Sequence, residues 1–158
     1  MVAIQKNQDV VRFSEQQVVD CAKEGANGCN GGDYPPAWNW AKQAGGIVAY
    51  DEYPYENKDS TCQAKTGVKR FPAPTGVYPN PKGEENIAAE LKNGPLAVAV
   101  VCNDAFMAYE SGIFKGPCSD KFEELNHAVT LVGYKPNSSP GSGDGYWVVR
   151  NSWNTGWG

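Results

Sequence analysis

The chain has 158 residues, with 14 Lys+Arg against 18 Asp+Glu and a net charge of -4. That length predicts one domain, or two small lobes sharing a cleft, with ~68–70% of the unfolded surface lost on folding. The charge balance leaves no basic stripe, which excludes nucleic acid and anionic lipid surfaces as partner classes.

Eighteen Gly and 11 Pro exceed the usual ~12% share of the pair, predicting many turns without the period of collagen. No run approaches the ~18 apolar residues of a membrane span, and the longest, Leu96 to Cys102, is strand-sized. Met1-Val2-Ala3-Ile4 passes at once into Gln5-Lys6-Asn7-Gln8-Asp9, which is not the pattern of a signal peptide. The five cysteines are Cys21, Cys29, Cys62, Cys102 and Cys118. Without a C-x-x-C pair, and with one His, they argue against zinc. Dispersed in a turn-rich chain, they read as disulfides of an oxidising compartment. An odd count leaves either a free thiol or partners outside these residues.

In chain order, Met1 to Val11 reads as the tail of a helix. A second helix starts at Ser14, with Gln17 completing a capping box and Phe13 and Val18 placed for a hydrophobic staple. Val18, Val19 and Ala22 form its apolar face. Gly25-Ala-Asn-Gly-Cys-Asn-Gly-Gly32 is a loop whose glycines imply positive φ or a close approach to the main chain. Tyr34 to Ala44 has helical spacing and stops at Gly45-Gly46. Ile47 to Tyr78 is loop-rich. Glu84 to Lys92 is a short helix ended by Asn93-Gly94-Pro95, and Leu96 to Val101 reads as a buried strand. Asn103 caps a helical turn reaching Tyr109. Strands are expected at Gly112–Lys115, His127–Lys135 and Tyr146–Arg150, the last two joined by the Pro136–Gly145 loop. Helices first and antiparallel strands afterwards indicate an α+β fold.

His127 opens a strand, sharing a face with Val129, Leu131 and Gly133. Such a histidine is either a hydrogen-bonded structural residue or a general acid–base, since imidazole titrates near pH ~6.5. Asn151-Ser152-Trp153 ends the last strand. A Trp cluster there serves core packing, yet an amide beside a bulky aromatic also suits a Cys–His pair by holding an imidazole in one tautomer and excluding water.

Seven blocks resemble the papain-like cysteine peptidases, in family order and across nearly the whole chain. They are Phe13-Ser-Glu-Gln-Gln-Val-Val-Asp-Cys21, Gly28-Cys-Asn-Gly-Gly32, Tyr53-Pro-Tyr55, Asn93-Gly-Pro-Leu-Ala-Val98, Gly112-Ile-Phe114, Asn126-His-Ala-Val129 and Asn151-Ser-Trp-Asn-Thr-Gly-Trp-Gly158. The spacing is closer to the cathepsin L-like branch than to cathepsin B. The resemblance implies a two-lobed fold, with the remainder of a helical lobe in residues 1–76 and a β-barrel lobe in residues 77–158, the junction falling near Gly76.

By the same resemblance His127 matches the catalytic base, Asn151 the residue that orients it, and Trp153 the indole shielding their hydrogen bond beside the substrate. Gly31 and Gly32 match the backbone strip that pairs with an extended peptide, and Asn126 accepts from that peptide through its carbonyl oxygen. Tyr34, Ala99, Leu125 and Ala128 match walls of the pocket for the second residue before the scissile bond, which then prefers an apolar or aromatic side chain. Cys21 matches a half-cystine bonded to Cys62. Cys29 and Cys118 match half-cystines whose partners lie outside these residues, and Cys102, without a counterpart, reads as a small buried hydrophobe. The implied partners are a peptide or protein substrate in extended conformation, a propeptide and cystatin-like inhibitors. The implied protein is a monomer without metal or cofactor, in a lysosome or vacuole or outside the cell. Asn137-Ser138-Ser139 is a glycosylation sequon consistent with that route, although Pro140 directly after it disfavours use.

Two departures stand out. Asn154 occupies a position where the family has Gly, which Asn tolerates if φ is positive. The nucleophile block, with its preceding Gln, is not found in Met1 to Arg12. The expectation is therefore a chain truncated at both ends, with Met1 internal and no peptidase activity alone. The competing reading, if Met1 is a true start, is a non-catalytic pseudopeptidase or peptide-binding module.

Overall fold

Ser14 begins helix α1 (Glu15–Cys21) in the expected way: in extended backbone, it accepts from the Gln17 N–H through its hydroxyl. The rest of the helix departs from the amphipathic reading. Ser14, Gln16, Gln17 and Asp20 are all at most 2% exposed, whereas Val18 and Val19 are only half-buried. Gln17 does not close the capping box either. The Ser14 N–H donates to the Val48 carbonyl, and the Gln17 Oε1 accepts from the Val48 N–H at 3.0 Å. Phe13, expected to staple onto Val18, packs its ring against Phe71 at 5.1 Å.

The computed structural model describes residues 10–63, 65–73, 81–119, 121–139 and 141–158. Most of the expected Met1–Val11 helix, the Gly76 junction and Pro140 lie outside them. The chain divides into two units, Met1–Tyr78 and Pro79–Gly158.

In the first unit, a single turn at Gly28–Asn30 leads to helix α2 (Tyr34–Gln43), capped by Asp33 and started by prolines. It stops in a Schellman arrangement, Gly46 N–H donating to Ala41 and Gly45 N–H to Lys42. Strand β1 (Ile47–Val48) then pairs antiparallel with β2 (Arg70–Phe71). The segment between has no regular period because its backbone bonds go to side chains of α1. Gln16 receives the Glu56 N–H and donates to the Lys58 carbonyl, Asp20 receives the Ser60 N–H, and Ser14 donates to the Tyr53 carbonyl. Cys21–Cys62 closes this loop covalently, with Cα atoms 4.7 Å apart.

In the second unit, helix α3 (Glu84–Leu91) precedes strand β3 (Leu96–Val100), helix α4 (Asp104–Met107), β4 (His127–Lys135) and β5 (Tyr146–Arg150). The sheet order is β3-β4-β5, antiparallel throughout, with a register shift between Leu131 and Gly133. Val129 and Leu131 are buried on the His127 face, and Phe106 of α4 is buried with them among the core residues. β3 is half-buried, not buried, and Ala99 is exposed. Gly112–Lys115, expected as a strand, is irregular: its chain reverses at Gly112, whose φ of 84° no strand adopts. The β4–β5 loop folds around the Asp144 carboxylate, which accepts from Ser142, the Ser138 N–H and Lys135. Those donors hold its carboxyl well below the ordinary aspartate range. Helices packed with an antiparallel sheet make the fold α+β. Among the described residues no helix is long and apolar enough to cross a membrane.

Candidate active site

His127 is the first residue of β4, paired with Val100, and its ring faces the buried side of the sheet. Its Nε2 lies 2.9 Å from Asn151 Oδ1 at the end of β5. Two residues on, Trp153 stacks on the imidazole with centroids 4.9 Å apart and 30° between planes. Phe106 presents its edge to both rings, at 6.4 Å from His127 and 6.1 Å from Trp153. Trp157 packs on Phe106 and Trp153 and donates its indole N–H to the Phe106 carbonyl at 2.9 Å. The imidazole is therefore walled by aromatic carbon around its bond to the amide.

The direction of that bond follows from a neighbour. The Asn151 atom facing His127 also receives the Ser152 N–H at 2.8 Å. An N–H cannot donate to an amide nitrogen, so this atom is the oxygen. Facing an acceptor, Nε2 must carry the proton. In the neutral ring Nδ1 then holds the free lone pair, and the base is directional. Among the described residues, the orientation leaves Asn151 Nδ2 buried without a hydrogen-bond partner, at a cost of ~1–3 kcal/mol.

The remaining predicted residues fall in two places. Ala99 and Ala128 sit directly opposite each other on β3 and β4, both exposed, on the sheet face opposite His127's. Leu125 and Asn126 precede β4 and are exposed. The Asn126 side chain is already committed, its Oδ1 accepting from the Cys102 N–H at 2.7 Å; only its main-chain carbonyl suits the acceptor role. Gly31, Gly32 and Tyr34 belong to the first unit. Gly31 has φ of 94° and open space where a Cβ would stand, while a Cβ on Gly32 would lie 3.0 Å from Ala26, its bridge partner. Tyr34 stacks on Trp38 at 6.0 Å.

Glycine density in this loop thus has an internal cause beside any ligand. At Gly28, with φ of 58°, a Cβ would stand 1.6 Å from Asp59 Oδ1, because that carboxylate receives the Cys29 N–H. Burial and then Asp59 push the Cys29 thiol above its ordinary range, the opposite of an activated nucleophile. Cys29, Cys102 and Cys118 are free thiols, and Cys102 is half-exposed, not buried. Asn154 does not take a positive φ; it accepts the Gly156 N–H at 3.0 Å and forms a turn. Asn137 of the sequon is half-buried, its Oδ1 receiving the Gly145 N–H. Sequence reading missed Phe106 as a wall of the site. Its spacing from Asn103, whose Oδ1 caps α4 through the Phe106 N–H at 3.0 Å, was the available clue.

Comparison with known proteins bears on this arrangement. The family model described as papain family cysteine protease matches residues 1–158. Vignain of Phaseolus vulgaris is 37% identical over 155 residues, 97% of this chain and 41% of vignain. Cathepsin L1 of Drosophila melanogaster is 38% identical over 153 residues, 94% of this chain and 40% of that protein. The chain thus spans about two fifths of these relatives' length. Bromelain protease from Ananas comosus, solved in complex with the E64 inhibitor, superimposes with a TM-score of 0.84 at 37% identity, covering 99% of this chain and 68% of that one. Digestive procathepsin L2 proteinase from Tenebrio molitor gives 0.85 at 35% identity, covering 99% and 49%.

Proposed function

This chain belongs to the papain family of cysteine proteases, and from that premise we propose that it carries the histidine–asparagine part of a thiol-dependent endopeptidase site. The observation that carries the reading is the His127–Asn151–Trp153 constellation. With its proton on Nε2, His127 offers Nδ1 to a cysteine thiol. The ring takes that proton, and the resulting imidazolium favours a thiolate, which attacks a peptide carbonyl. His127 then protonates the leaving amine, and water hydrolyses the thioester. Asn151 keeps the ring in the productive tautomer through both steps, and Trp153 keeps water off their bond.

The attacking thiolate is not drawn from the cysteines here. Cys21 and Cys62 are bonded to each other, and Cys29 has its thiol pushed up beside Asp59. Cys118 matches a half-cystine of the family and Cys102 has no counterpart there, so the nucleophile is expected from a segment outside these 158 residues, and the chain alone is expected to be inactive. In the first unit, Gly31 and Gly32 offer main chain to an extended peptide; in the second, the Asn126 carbonyl offers an acceptor for peptide N–H groups. Within the second unit, the exposed Ala99, Leu125 and Ala128 offer apolar surface to the second residue before the cut. The disulfide supports an oxidising location, the vacuole or lysosome or the outside of the cell.

The test is complementation. The purified chain should cleave no fluorogenic peptide, with or without reductant. Combined with a papain-family N-terminal segment bearing the thiol, it should gain hydrolysis that a thiol alkylator abolishes and that His127→Ala reduces by about 10³-fold or more. Alkylator-sensitive hydrolysis by the chain alone overturns the assignment of the nucleophile. A complemented complex that binds peptide without cutting favours the non-catalytic module.

A further inference from the structure

The β4–β5 loop carries Asn137-Ser138-Ser139, the one N-x-Ser/Thr sequon of the chain, and the histidine site makes no use of it. Most polar side chains of this loop are spent on the loop itself. The Asp144 carboxylate gathers the Ser138 N–H, the Ser142 hydroxyl and Lys135, and the Ser138 hydroxyl donates to that of Ser142 at 3.4 Å. Asn137 Oδ1 accepts from the Gly145 N–H at 2.9 Å. Gly145 approaches so closely that a Cβ on it would stand 2.9 Å from the Asn137 main-chain nitrogen. The Asn137 amide is thus gripped by its oxygen alone. Among the described residues its Nδ2 meets no partner, and it is not buried. Ser139 is exposed, its hydroxyl likewise unpaired among the described residues. The side-chain groups that the loop passes over are therefore the two that define the sequon.

We propose that Asn137 is an N-glycosylation site, and that the first sugar of its glycan lies in the cavity between this loop and the start of α3. The cavity measures about 660 Å³ and is bordered by Asn137 and Ser138, by Tyr134 and Pro136, and by Glu84 and Asn86. That volume falls within the ~300–1,000 Å³ of small-molecule sites. Tyr134 and Pro136 offer carbon to one face of a pyranose. Glu84 keeps a carboxylate oxygen beyond its bond from the Tyr134 hydroxyl, and Asn86 keeps Oδ1 beyond the bond its Nδ2 makes to the Lys82 carbonyl, so both can accept from sugar hydroxyls. Transfer joins Asn137 Nδ2 to C1 of the sugar. The bond from C1 to a polyisoprenyl pyrophosphate donor breaks, the pyrophosphate leaves with the electron pair, and the amide nitrogen gives up one proton. A glycan attached before folding must be housed by the fold, and an unburied Nδ2 on the border of a cavity meets that demand. Pro140 follows the tripeptide; it lowers the share of chains modified without removing an atom that the transfer needs. The site rests on the lumenal or extracellular location inferred above, and not on any catalytic role of His127.

The test supplies the location, so that failure of the site and failure of the location are distinct. The 158-residue chain, led by a secretory signal, is translated with microsomes and read in the protease-protected fraction, where every molecule has reached the lumen. A share of it should migrate more slowly, and peptide N-glycosidase should restore the mobility and leave aspartate at position 137. Asn137→Gln and Ser139→Ala should each abolish the slow band, whereas Ser139→Thr and Pro140→Ala should each enlarge it. A protected chain without a slow band overturns the proposal. The seat of the sugar has its own readout. With the glycan trimmed to one sugar by an endoglycosidase, the amides of 84–86 should exchange about threefold or more slowly than in the same chain made in bacteria, with those of 127–131 unchanged. Equal exchange at 84–86 overturns the seat in the cavity.

Discussion

A histidine becomes a directional base only when something decides which nitrogen holds the proton. Here the decision is made one residue away from the partner: the Ser152 N–H fixes the Asn151 amide, and the amide fixes the imidazole. Trp153 supplies stacking worth ~0.5–1.5 kcal/mol and covers the bond from water. Trp153→Ala should therefore leave the tautomer in place but speed exchange of the Nε2 proton about tenfold, a change that Trp153→Phe largely avoids. Proton NMR of the single imidazole checks both. A Trp153→Ala ring proton as slow as that of the unaltered chain would show that the indole shields nothing. Gly28 makes a second case at this scale. Gly28→Ala must expel the Asp59 carboxylate from a space 1.6 Å from the new Cβ, at a positive φ besides. It should cost about 1–3 kcal/mol in urea unfolding, and no loss would mean that Asp59 has an equally good position elsewhere.

At the scale of elements, helix α1 inverts the usual division between inside and outside. Its buried face is hydrogen-bonding, and what it buries against is the irregular segment after β1, whose N–H and C=O groups have no ladder to join. Gln16 alone satisfies the Glu56 N–H, the Lys58 carbonyl and Asp20. Gln16→Leu should thus lower stability by about 1–3 kcal/mol despite adding apolar surface, because the buried Asp20 and two part-buried main-chain groups lose a partner at once. Thermal melting measures it, and a neutral result would show that water fills the gap.

The same network sets a pH window. Burial works to raise the Asp20 carboxyl, but the Tyr53 hydroxyl, the Ser60 N–H, the Gln16 amide and Lys23 together hold it below the ordinary range. Its contribution is present above the unfolded value near ~3.9 and is lost as pH falls through the lower folded value. For Tyr53, burial and then Asp20 push the phenol up, so its contribution holds below ~10 and is lost as pH rises beyond. Urea midpoints of the chain should stay level through mildly acidic pH, fall below about pH 4, and fall again above about pH 10; Asp20→Asn should flatten the acid limb. A midpoint that drops between pH 7 and 5 would contradict this. Sequence reading found α1 and its Ser14 cap, because capping is local chemistry. It assigned the wrong face, because the partners of Gln16 and Asp20 lie about forty positions away and leave no period in the helix itself. Gln17 misled for the same reason, since its spacing from Ser14 fits a capping box whether or not Val48 competes for it.

At the scale of the whole molecule, legibility followed the order in which chemistry is written along the chain. His127, Asn151 and Trp153 were readable because a strand start, a strand end and a two-residue step put them at positions that a motif can mark. Phe106 was not, because a turn of helix brings it in from a distant part of the sequence. The hydrogen bonds and aromatic contacts that hold His127 belong to the second unit, whereas the disulfide and the buried polar network belong to the first. That separation has a consequence for reduction. Cys21 and Cys62 are 41 positions apart, and opening a loop of that size releases about 4 kcal/mol of denatured-state entropy. The loop it ties down is the one held to α1 by side chains alone, so loss should be confined to the first unit. Hydrogen exchange of the chain with and without reductant should show protection lost across 14–62 and retained across 96–100, 127–135 and 146–150. The Nε2 proton of His127 should remain slow in both samples. A ring proton that becomes fast on reduction would mean that the geometry of the base depends on the first unit, and that the two networks are one.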